Sequence, residues 1–496
     1  MKSLLVTLCL SFMLVSCSVS KNNYNPNKKF SPEQLQKDYE LFRDILEESH
    51  PSLYWYTPKD TVDYYFEVGA NRLRDSLPEY KFRNVLSYVL AQIRCGHTSV
   101  RASKAATKYA EHTRGLMFPL SVKAWQDTVL VTSNLSRRDS NVMRGVLLKS
   151  IDNKPVSVIV DSMFRYISAD GYNLTHKYQT ISNGGVFRSM YGAIYGLKTR
   201  TPIEYIDTAG VLRKAEISLG MQMVDTARIR KEKEHRISKR ERKNAELRML
   251  RNMRIDTTLN TAFLEVNTFA SGSDLRPFLK SSFKKVRKQN IETLVVDMRG
   301  NGGGSVLLSN LLTKYIAADP FKIADTLYAV KKKSSHGEYI QNYFLNRLFL
   351  LFLAHKKSDG HYHFNHYENK KFKPKKKNHF EGTTYIIIGG NTFSAATLFT
   401  KALVDQSNVI VVGEETGGGA YGNTAWLIPD VTLPNTKVRF RLPLFRLVID
   451  KDAQKGRGVM PEVEADPSVK AIRRNEDYKM DKVLEMIRSK PKRTIP

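Results

Sequence analysis

The stretch TLVVDMRGNGGGS, residues 293–305, runs from an apolar strand into three consecutive glycines and then towards a predicted helix. Apolar strands alternate with predicted helices on both sides of this stretch. Further strands are predicted at TAFLEVNTF (261–269), TYIIIGG (384–390) and VIVVG (409–413). Apolar strands that alternate with helices are typical of an α/β layer structure with a largely parallel sheet. The sequence therefore predicts the α/β fold class.

The glycine run suggests chemistry as well as a turn. Three glycines between a strand and a helix let backbone N–H groups face a ligand without any Cβ in the way. No Gly-Lys-Ser or Gly-Lys-Thr follows, so the signature of a nucleotide-binding loop is missing. An oxyanion-binding turn and a tight structural turn both remain open.

A second strand–turn–helix motif is GGNTFSAATLFTKAL, residues 389–403. Ser394 stands where the helix begins, and Ala395 and Ala396 leave space around its hydroxyl. The helix dipole and the free N–H groups would stabilise a developing oxyanion there. Serine is also a common N-cap, and the motif is not the G-x-S-x-G elbow. The third motif, His97 in CGHTSV (95–100), is a lone histidine in a loop.

Charge and cysteine content limit the classes of function. The 496 residues include 79 Lys and Arg against 49 Asp and Glu, a formal net charge of +30, and only three cysteines. So few cysteines exclude a disulfide scaffold and a cysteine-rich metal module. The net charge alone suggests a nucleic-acid partner, but the first residues predict export and argue against one.

The N-terminus reads as a signal peptide over residues 1–16. A basic start is followed by a short apolar segment that is too short to span a bilayer. Leu14-Val15-Ser16-Cys17 resembles the bacterial lipoprotein box, which implies lipidation of Cys17. An ordinary signal peptide with an incidental cysteine is the alternative. The predicted location is the cell envelope, lipid-anchored on the periplasmic face or the outer membrane.

Composition divides the remaining chain. Ser31, Pro32 and Gln34 predict a capping box at the first helix. The string RGVLLKSIDNKPVSVIV (144–160) resembles PDZ domains, with a generic β-rich domain as the alternative. The predicted segments are a tether (17–30), a helical domain carrying His97 (31–114), a PDZ-like domain (115–224), a basic connector (225–258), an α/β core (259–475) with a lid-like insert (330–380), and a C-terminal helix and tail (476–496).

The insert holds six of the eleven histidines. His361 and His363 would share one face of a strand, which allows a metal site to be considered. The neighbouring Asp359 and Glu368 complete no recognised ligand spacing. A basic lid is the simpler interpretation, and no metal or other cofactor is predicted.

Taken together, the three motifs resemble those of the C-terminal-processing and tricorn-like serine peptidases. DMRGNGGG is similar to that family's D-x-R-x-N-x-G-G turn, and TFSAAT to its nucleophile motif. GEETGG (413–418) and GRGVMPEVEAD (456–466) are similar to its later segments. The resemblance implies a ClpP/crotonase-like core with helical and PDZ-like domains. It also implies that Ser394 is the nucleophile and that the N–H groups of Gly303 and Ala395 form the oxyanion hole.

At one position this sequence differs from the family pattern, and this difference decides which residue is the expected general base. The processing-peptidase branch has a lysine after its G-E-x-T motif, and here Gly419 stands at that position. The tricorn-like branch uses a histidine in a D-x-H-T context, which corresponds to His97, although Cys95 replaces the acid. His97 is therefore the expected base. Asp452 is the first choice for the acid that orients the imidazole, and Glu414 and Asp405 are alternatives.

These inferences predict an exported, lipid-anchored serine peptidase that hydrolyses peptide bonds in proteins or peptides. The alternative is a catalytically inactive protein that binds peptides or apolar ligands on the same fold, as interphotoreceptor retinoid-binding protein does.

Overall fold

The computed structural model describes residues 24–113, 115–136, 142–221 and 238–489. The predicted signal peptide, Cys17 and the first part of the basic connector lie outside these residues.

The N-terminal part consists mainly of helices. They are α1 (Pro32–Ser49), α2 (Lys59–Asn71), α3 (Glu79–Ile93) and α4 (Lys104–His112), with short strands β1 (Lys29–Phe30), β2 (Leu77–Pro78) and β3 (Val100–Arg101). The predicted capping box is confirmed, because Ser31 and Gln34 exchange hydrogen bonds between side chain and backbone. Buried apolar residues on α1 and α3 form one core. The loop between α3 and β3 carries His97.

The next part is rich in strands. They are β4 (Leu116–Met117), β5 (Leu120–Trp125), β6 (Thr128–Asn134), β7 (Leu147–Ile151), β8 (Lys154–Pro155), β9 (Arg200–Ile206), β10 (Leu212–Ser218) and β11 (Gly220–Met221), with helices α5 (Val156–Phe164), α6 (Leu174–Ser182) and α7 (Val186–Tyr195). The main sheet is antiparallel in the order β10-β9-β7-β6-β5. This sheet with its helices is the PDZ-like part of the fold.

The predicted connector, residues 225–258, ends earlier than expected. Helix α8 (Lys239–Leu250) has no buried residue, as expected for a solvated segment. Strand β12 (Arg251–Asp256), however, pairs antiparallel with β13 (Thr261–Val266) at the edge of the core sheet. Met253 and Ile255 pack against the core. Their alternation with polar residues is what places this strand on the sheet.

The α/β core is built on one six-stranded sheet. Its strands run in the order β12, β13, β14 (Thr293–Asp297), β18 (Thr383–Ile388), β19 (Val409–Gly413) and β24 (Val463–Glu464), parallel from β13 onwards. Helices α9 (Leu275–Lys288), α10 (Val306–Ile316) and α12 (Ala395–Leu403) cover one face, and α14 (Tyr478–Ser489) covers the other. On β14, Leu294 and Val296 face helices α9, α10 and α12, and Val295 faces α14. The predicted α/β class is confirmed.

The insert is packed into a second, antiparallel sheet rather than lying apart as a lid. Strand β15 (Thr326–Ala329) directly precedes the insert, whose own elements are a 3₁₀ turn (Gly337–Tyr339), α11 (Tyr343–Leu353), β16 (His355–Lys356) and β17 (Tyr362–His363). They pair with β23 (Phe445–Val448) and β20 (Gly422–Ala425) in the order β16-β17-β15-β23-β20. Four buried aromatic residues hold the insert in place: Phe364, Tyr367, Phe372 and Phe380.

The remaining elements are β21 (Asp430–Thr432), β22 (Arg439–Arg441) and α13 (Val469–Arg474). Strand β22 pairs with both β21 and β3, and so joins the helical N-terminal part to the core. Within the described ranges, no helix has both the length and the apolar content needed to cross a bilayer.

Candidate active site

Ser394 lies between β18 and α12, at the N-cap position of the helix. Its backbone has φ 56° and ψ −121°, a combination that a residue with a side chain rarely adopts unless its surroundings enforce it. Its side chain makes no capping hydrogen bond, so the structure does not support the interpretation of this serine as a simple N-cap. The hydroxyl of a half-buried, strained residue is thus not used to stabilise the helix.

The glycine turn packs directly against this serine. Gly303 has φ 97°, and a Cβ there would lie 2.7 Å from Ser394 Cβ and 2.9 Å from the Ala395 nitrogen. Only glycine allows so close an approach. Ala395 begins α12, so its N–H is among those that the helix leaves without an internal partner. Both predicted oxyanion donors therefore lie beside Ser394.

Asn301 holds the glycine turn in place. Its side chain is fully buried; the amide donates to Val266 O at 2.8 Å, and Oδ1 accepts from the N–H of Gly303 at 2.8 Å. Its backbone carbonyl accepts from the N–H of Phe393 at 3.0 Å. Asn301 thus connects the end of β13, the glycine turn and the serine turn. The N–H of Gly303 is engaged by this side chain in the described state.

His97 reaches the serine turn from the helical part of the chain. Its ring is 3% exposed and packs on Phe393, with ring centroids 4.8 Å apart. In the part of the chain that the structure describes, neither ring nitrogen has a hydrogen-bond partner. Burial disfavours the charged imidazolium, and with the positive Arg441 nearby it lowers the His97 pKa to about 3. The ring is therefore neutral.

The loop that carries His97 is fixed by its neighbours. Thr98 Oγ1 lies 2.8 Å from His50 Nε2 and donates to Cys95 Sγ at 3.1 Å. A Cβ on Gly96 would lie 2.5 Å from the Phe393 ring, so the backbone there approaches the ring as only glycine permits. His97 therefore contacts the serine turn through a rigid loop.

Asp170, from the PDZ-like part, fastens this loop to the core. Its side chain is 1% exposed and accepts from the N–H of Gly96 at 2.8 Å and from the N–H of Gly419 at 3.2 Å. Burial raises the pKa of the carboxyl group to about 6. No sequence motif indicated Asp170, which lies far along the chain from both partners.

A second histidine also contacts the serine turn. The His176 ring stacks on Phe393 with centroids 5.0 Å apart, and its Nδ1 lies 2.9 Å from Gly390 O. Burial lowers its pKa. The sequence carried no signal for this residue. Phe393 is therefore held by two neutral imidazole rings directly before Ser394.

The structure does not bring the predicted acid to His97. Asp452 lies exposed in a turn, where its N–H donates to Asp450 Oδ1 at 3.0 Å. Glu414 pairs with Lys479 at 2.7 Å, and Asp405 is exposed and pairs with Lys401 at 3.3 Å. Since the His97 nitrogens have no partner among the described residues, none of these acids orients the ring here. An orienting role of Asp452 stays a prediction about the substrate-bound enzyme.

The lysines nearest to the motifs in sequence are occupied elsewhere. Burial lowers the pKa of Lys401, but ion pairing with Asp450 and Asp405 outweighs this effect and raises it. Lys455 lies over the rings of Trp55 and Tyr56 at 5.7 and 5.5 Å. Ion-paired Lys401 therefore stays protonated and cannot act as a general base, whereas burial and the nearby Arg446 lower the pKa of Lys455.

His363 of the insert is held by two carboxylates. His363 Nδ1 lies 2.6 Å from Glu368 Oε1, and its Nε2 lies 2.9 Å from Asp359 Oδ2. Among the described residues, no cluster of His, Cys, Asp and Glu has a geometry that could hold a metal ion.

A buried, neutral histidine that packs on Phe393 next to a strained serine, with backbone N–H groups at a glycine turn and a helix start, is the arrangement of a serine peptidase. Residues 260–465 match the model of peptidase family S41, so the core of this chain is similar to that family.

Solved structures of CPAF support the fold. Mature CPAF complexed with lactacystin is 16% identical, with a TM-score of 0.62 over 92% of this chain and 99% of that chain. The photosystem II D1 C-terminal processing protease is 13% identical, with a TM-score of 0.40 over 90% of this chain and 98% of that one. Tricorn protease is 14% identical, with a TM-score of 0.38 over 92% of this chain and 37% of that one. No curated protein sequence matches the chain.

Proposed function

We propose that this chain is an exported, lipid-anchored serine peptidase that cleaves proteins or peptides with Ser394 as nucleophile and His97 as base. The observation that carries the proposal is the environment of Ser394. Its backbone is strained, its hydroxyl does not cap the helix, and Gly303 approaches it more closely than any other residue type could. Strain of this kind concentrates at functional sites.

In acylation, Ser394 Oγ attacks the carbonyl carbon of the scissile bond, and its proton passes to a ring nitrogen of His97. The negative charge that forms on the carbonyl oxygen is held by the N–H groups of Ala395 and Gly303. The N–H of Gly303 leaves Asn301 Oδ1 to do so. Collapse of the tetrahedral intermediate breaks the C–N bond, and His97 returns its proton to the departing amine.

In deacylation, His97 removes a proton from water, the hydroxide attacks the acyl-enzyme, and the proton returns to Ser394 Oγ as the acid leaves. His97 suits both steps because burial keeps it neutral until it accepts a proton. The Ser394–His97 hydrogen bond is not formed in the described state. Such bonds are often long without substrate and tighten when it binds.

Labelling with a fluorophosphonate probe tests the nucleophile. The wild-type chain is expected to be labelled and Ser394→Ala not. Ser305→Ala is the matched control, because Ser305 also stands at an N-cap next to the glycine turn and also lacks a capping bond. A wild-type chain that stays unlabelled and degrades no unfolded protein would support the inactive, ligand-binding alternative.

The anchor is proposed from the sequence pattern that ends at Cys17. We expect the mature chain to begin at Cys17 and to carry lipid, so that radiolabelled palmitate is incorporated in cells. Cys17→Ala should abolish incorporation. Cys95→Ala is the matched control, because Cys95 is a buried free thiol. Incorporation that persists in Cys17→Ala would contradict the proposal.

A further inference from the structure

Helix α11 of the insert has two apolar faces. The inner face is packed. Phe349 contacts the rings of Phe364 and Phe445, with centroids 5.2 and 6.2 Å apart, and Leu350 is buried. These contacts hold the helix to the second sheet.

The outer face has no such cover in the described chain. Phe344 is 70% exposed and Phe352 73%, and Leu345 and Leu351 are exposed beside them. At 100° per residue these positions and Leu348 fall within about 120° of the helix circumference, which makes one continuous stripe. A helix that is apolar on both sides normally lies buried. Contiguous exposed apolar surface of this kind marks an interaction site.

Cations surround this outer face. Residues 331–359 contain six Lys and Arg and two acids, Glu338 and Asp359, and Asp359 is engaged by His361 and His363. Arg347 is exposed on the helix itself, Lys332 Nζ donates to Leu351 O at 3.3 Å, and Lys356 is exposed in β16. Two neighbouring acids are engaged: Glu48 lies 3.4 Å from Lys331, and Glu368 pairs with Lys357. The rim of the apolar face is therefore positively charged.

We propose that the outer face of α11 docks onto an anionic phospholipid bilayer. The stripe Phe344–Leu345–Leu348–Leu351–Phe352 lies at the boundary between headgroups and acyl chains, and the basic rim contacts the phosphates. Charge selects this occupant over a second copy of the chain, because two basic rims would repel each other across a self-contact. The contact does not depend on Cys17, and it would hold the insert, and with it the catalytic core, flat against the membrane.

Vesicle flotation tests the proposal. The chain from Cys17 onwards contains every residue that the structure describes, and it is made without lipid. It is expected to float with phosphatidylcholine vesicles that contain phosphatidylglycerol and not with phosphatidylcholine alone, and added salt should weaken binding. Phe344→Ser combined with Phe352→Ser should lower the affinity about tenfold or more. The matched control is Val158→Ser combined with Leu212→Ser, two residues exposed elsewhere, and it should bind like wild type.

Two further measurements test whether the outer face of α11 contacts lipid or a second copy of the chain. Phe352→Trp should show a blue shift of tryptophan emission when anionic vesicles are added. Sedimentation velocity should show that the wild-type chain does not form a dimer that the combined Phe344→Ser and Phe352→Ser substitutions disrupt. Unchanged emission, equal flotation of that variant and wild type, or a dimer that the variant breaks would each overturn the lipid assignment.

Discussion

Gly303 lies directly against Ser394: a Cβ on Gly303 would lie 2.7 Å from the Cβ of Ser394. The contact joins the glycine turn after β14 to the serine turn after β18, two neighbouring strands of the core sheet. The carboxyl ends of adjacent parallel strands meet at one edge of a sheet, where ligands and substrates usually bind. The pairing of these two strands therefore assembles nucleophile and oxyanion turn.

Gly303→Ala is expected to lower kcat by about 10²-fold or more, the usual loss when an oxyanion donor is displaced. The added methyl group would push the turn away from Ser394 and would strain a backbone with φ 97°. Steady-state kinetics on an unfolded protein substrate measure the effect. Gly302→Ala is the control, because a Cβ there meets no atom within 4 Å, and it should keep near-normal activity. Equal losses in both variants would contradict the specific role of Gly303.

His97→Ala is expected to lower kcat by about 10³-fold or more while the fold is kept, as in other triad knockouts. Lys401→Ala and Lys455→Ala should change kcat little, because one lysine is ion-paired and the other lies over aromatic rings. Steady-state kinetics give the kcat of each variant, and circular dichroism shows whether the variant is folded. Near-normal activity of His97→Ala, with loss in either lysine variant, would replace the Ser/His mechanism by a Ser/Lys dyad.

The acidic limb of the pH profile should lie below the ordinary histidine value of about 6.5. Burial lowers the pKa of His97 to about 3, so the base stays deprotonated as the pH falls through 6.5. The thermal midpoint must be measured at each pH. Groups whose folded-state pKa is lowered, His97 and also His50, contribute stability above about pH 6.5 that is lost as the pH falls towards their folded values. A limb of kcat/KM centred at or above about pH 7, with the fold intact, would contradict a buried base.

Asp452→Asn tests whether this acid orients His97, and Asp170→Asn tests whether its side chain fixes the His97 loop. If Asp452 orients His97 when substrate is bound, Asp452→Asn lowers kcat strongly and leaves Tm unchanged, because the side chain is exposed. Asp170→Asn should lower stability by about 1–3 kcal/mol, because an amide cannot accept from both N–H groups. Thermal unfolding and kinetics on both variants check this. Wild-type kcat in Asp452→Asn would remove Asp452 from the mechanism.

Trypsin should cut first in the basic connector. Helix α8 has no buried residue, and it presents several lysines and arginines to solvent. Limited digestion followed by mass analysis of the fragments should give a first cut before residue 251. Earlier cleavage inside the core sheet would mean that this helix packs against a partner.

Several features could be read from residues close together in the chain. The capping box at Ser31, the strand–glycine–helix turn and the small residues after Ser394 all depend on neighbours within a few positions. The edge strand Arg251–Asp256 could not be predicted from the sequence, because it lies in a charged segment and has only two apolar residues, Met253 and Ile255. Composition alone predicts a lid, because it does not show that Phe349 and Phe364 pack against Phe445 of β23.

The sequence by itself determined the α/β class, the candidate nucleophile, the glycine turn and the histidine in CGHTSV. These are local patterns, and backbone geometry and hydrogen-bonding capacity within a few residues are enough to produce them. Only the tertiary structure decided that Ser394 is strained rather than a cap, that Asp170 clamps the His97 loop, and that His176 shares Phe393 with His97. Each of these depends on burial and on contacts between residues far apart in the chain. Such contacts follow from the packing of whole domains, which no short stretch of sequence encodes.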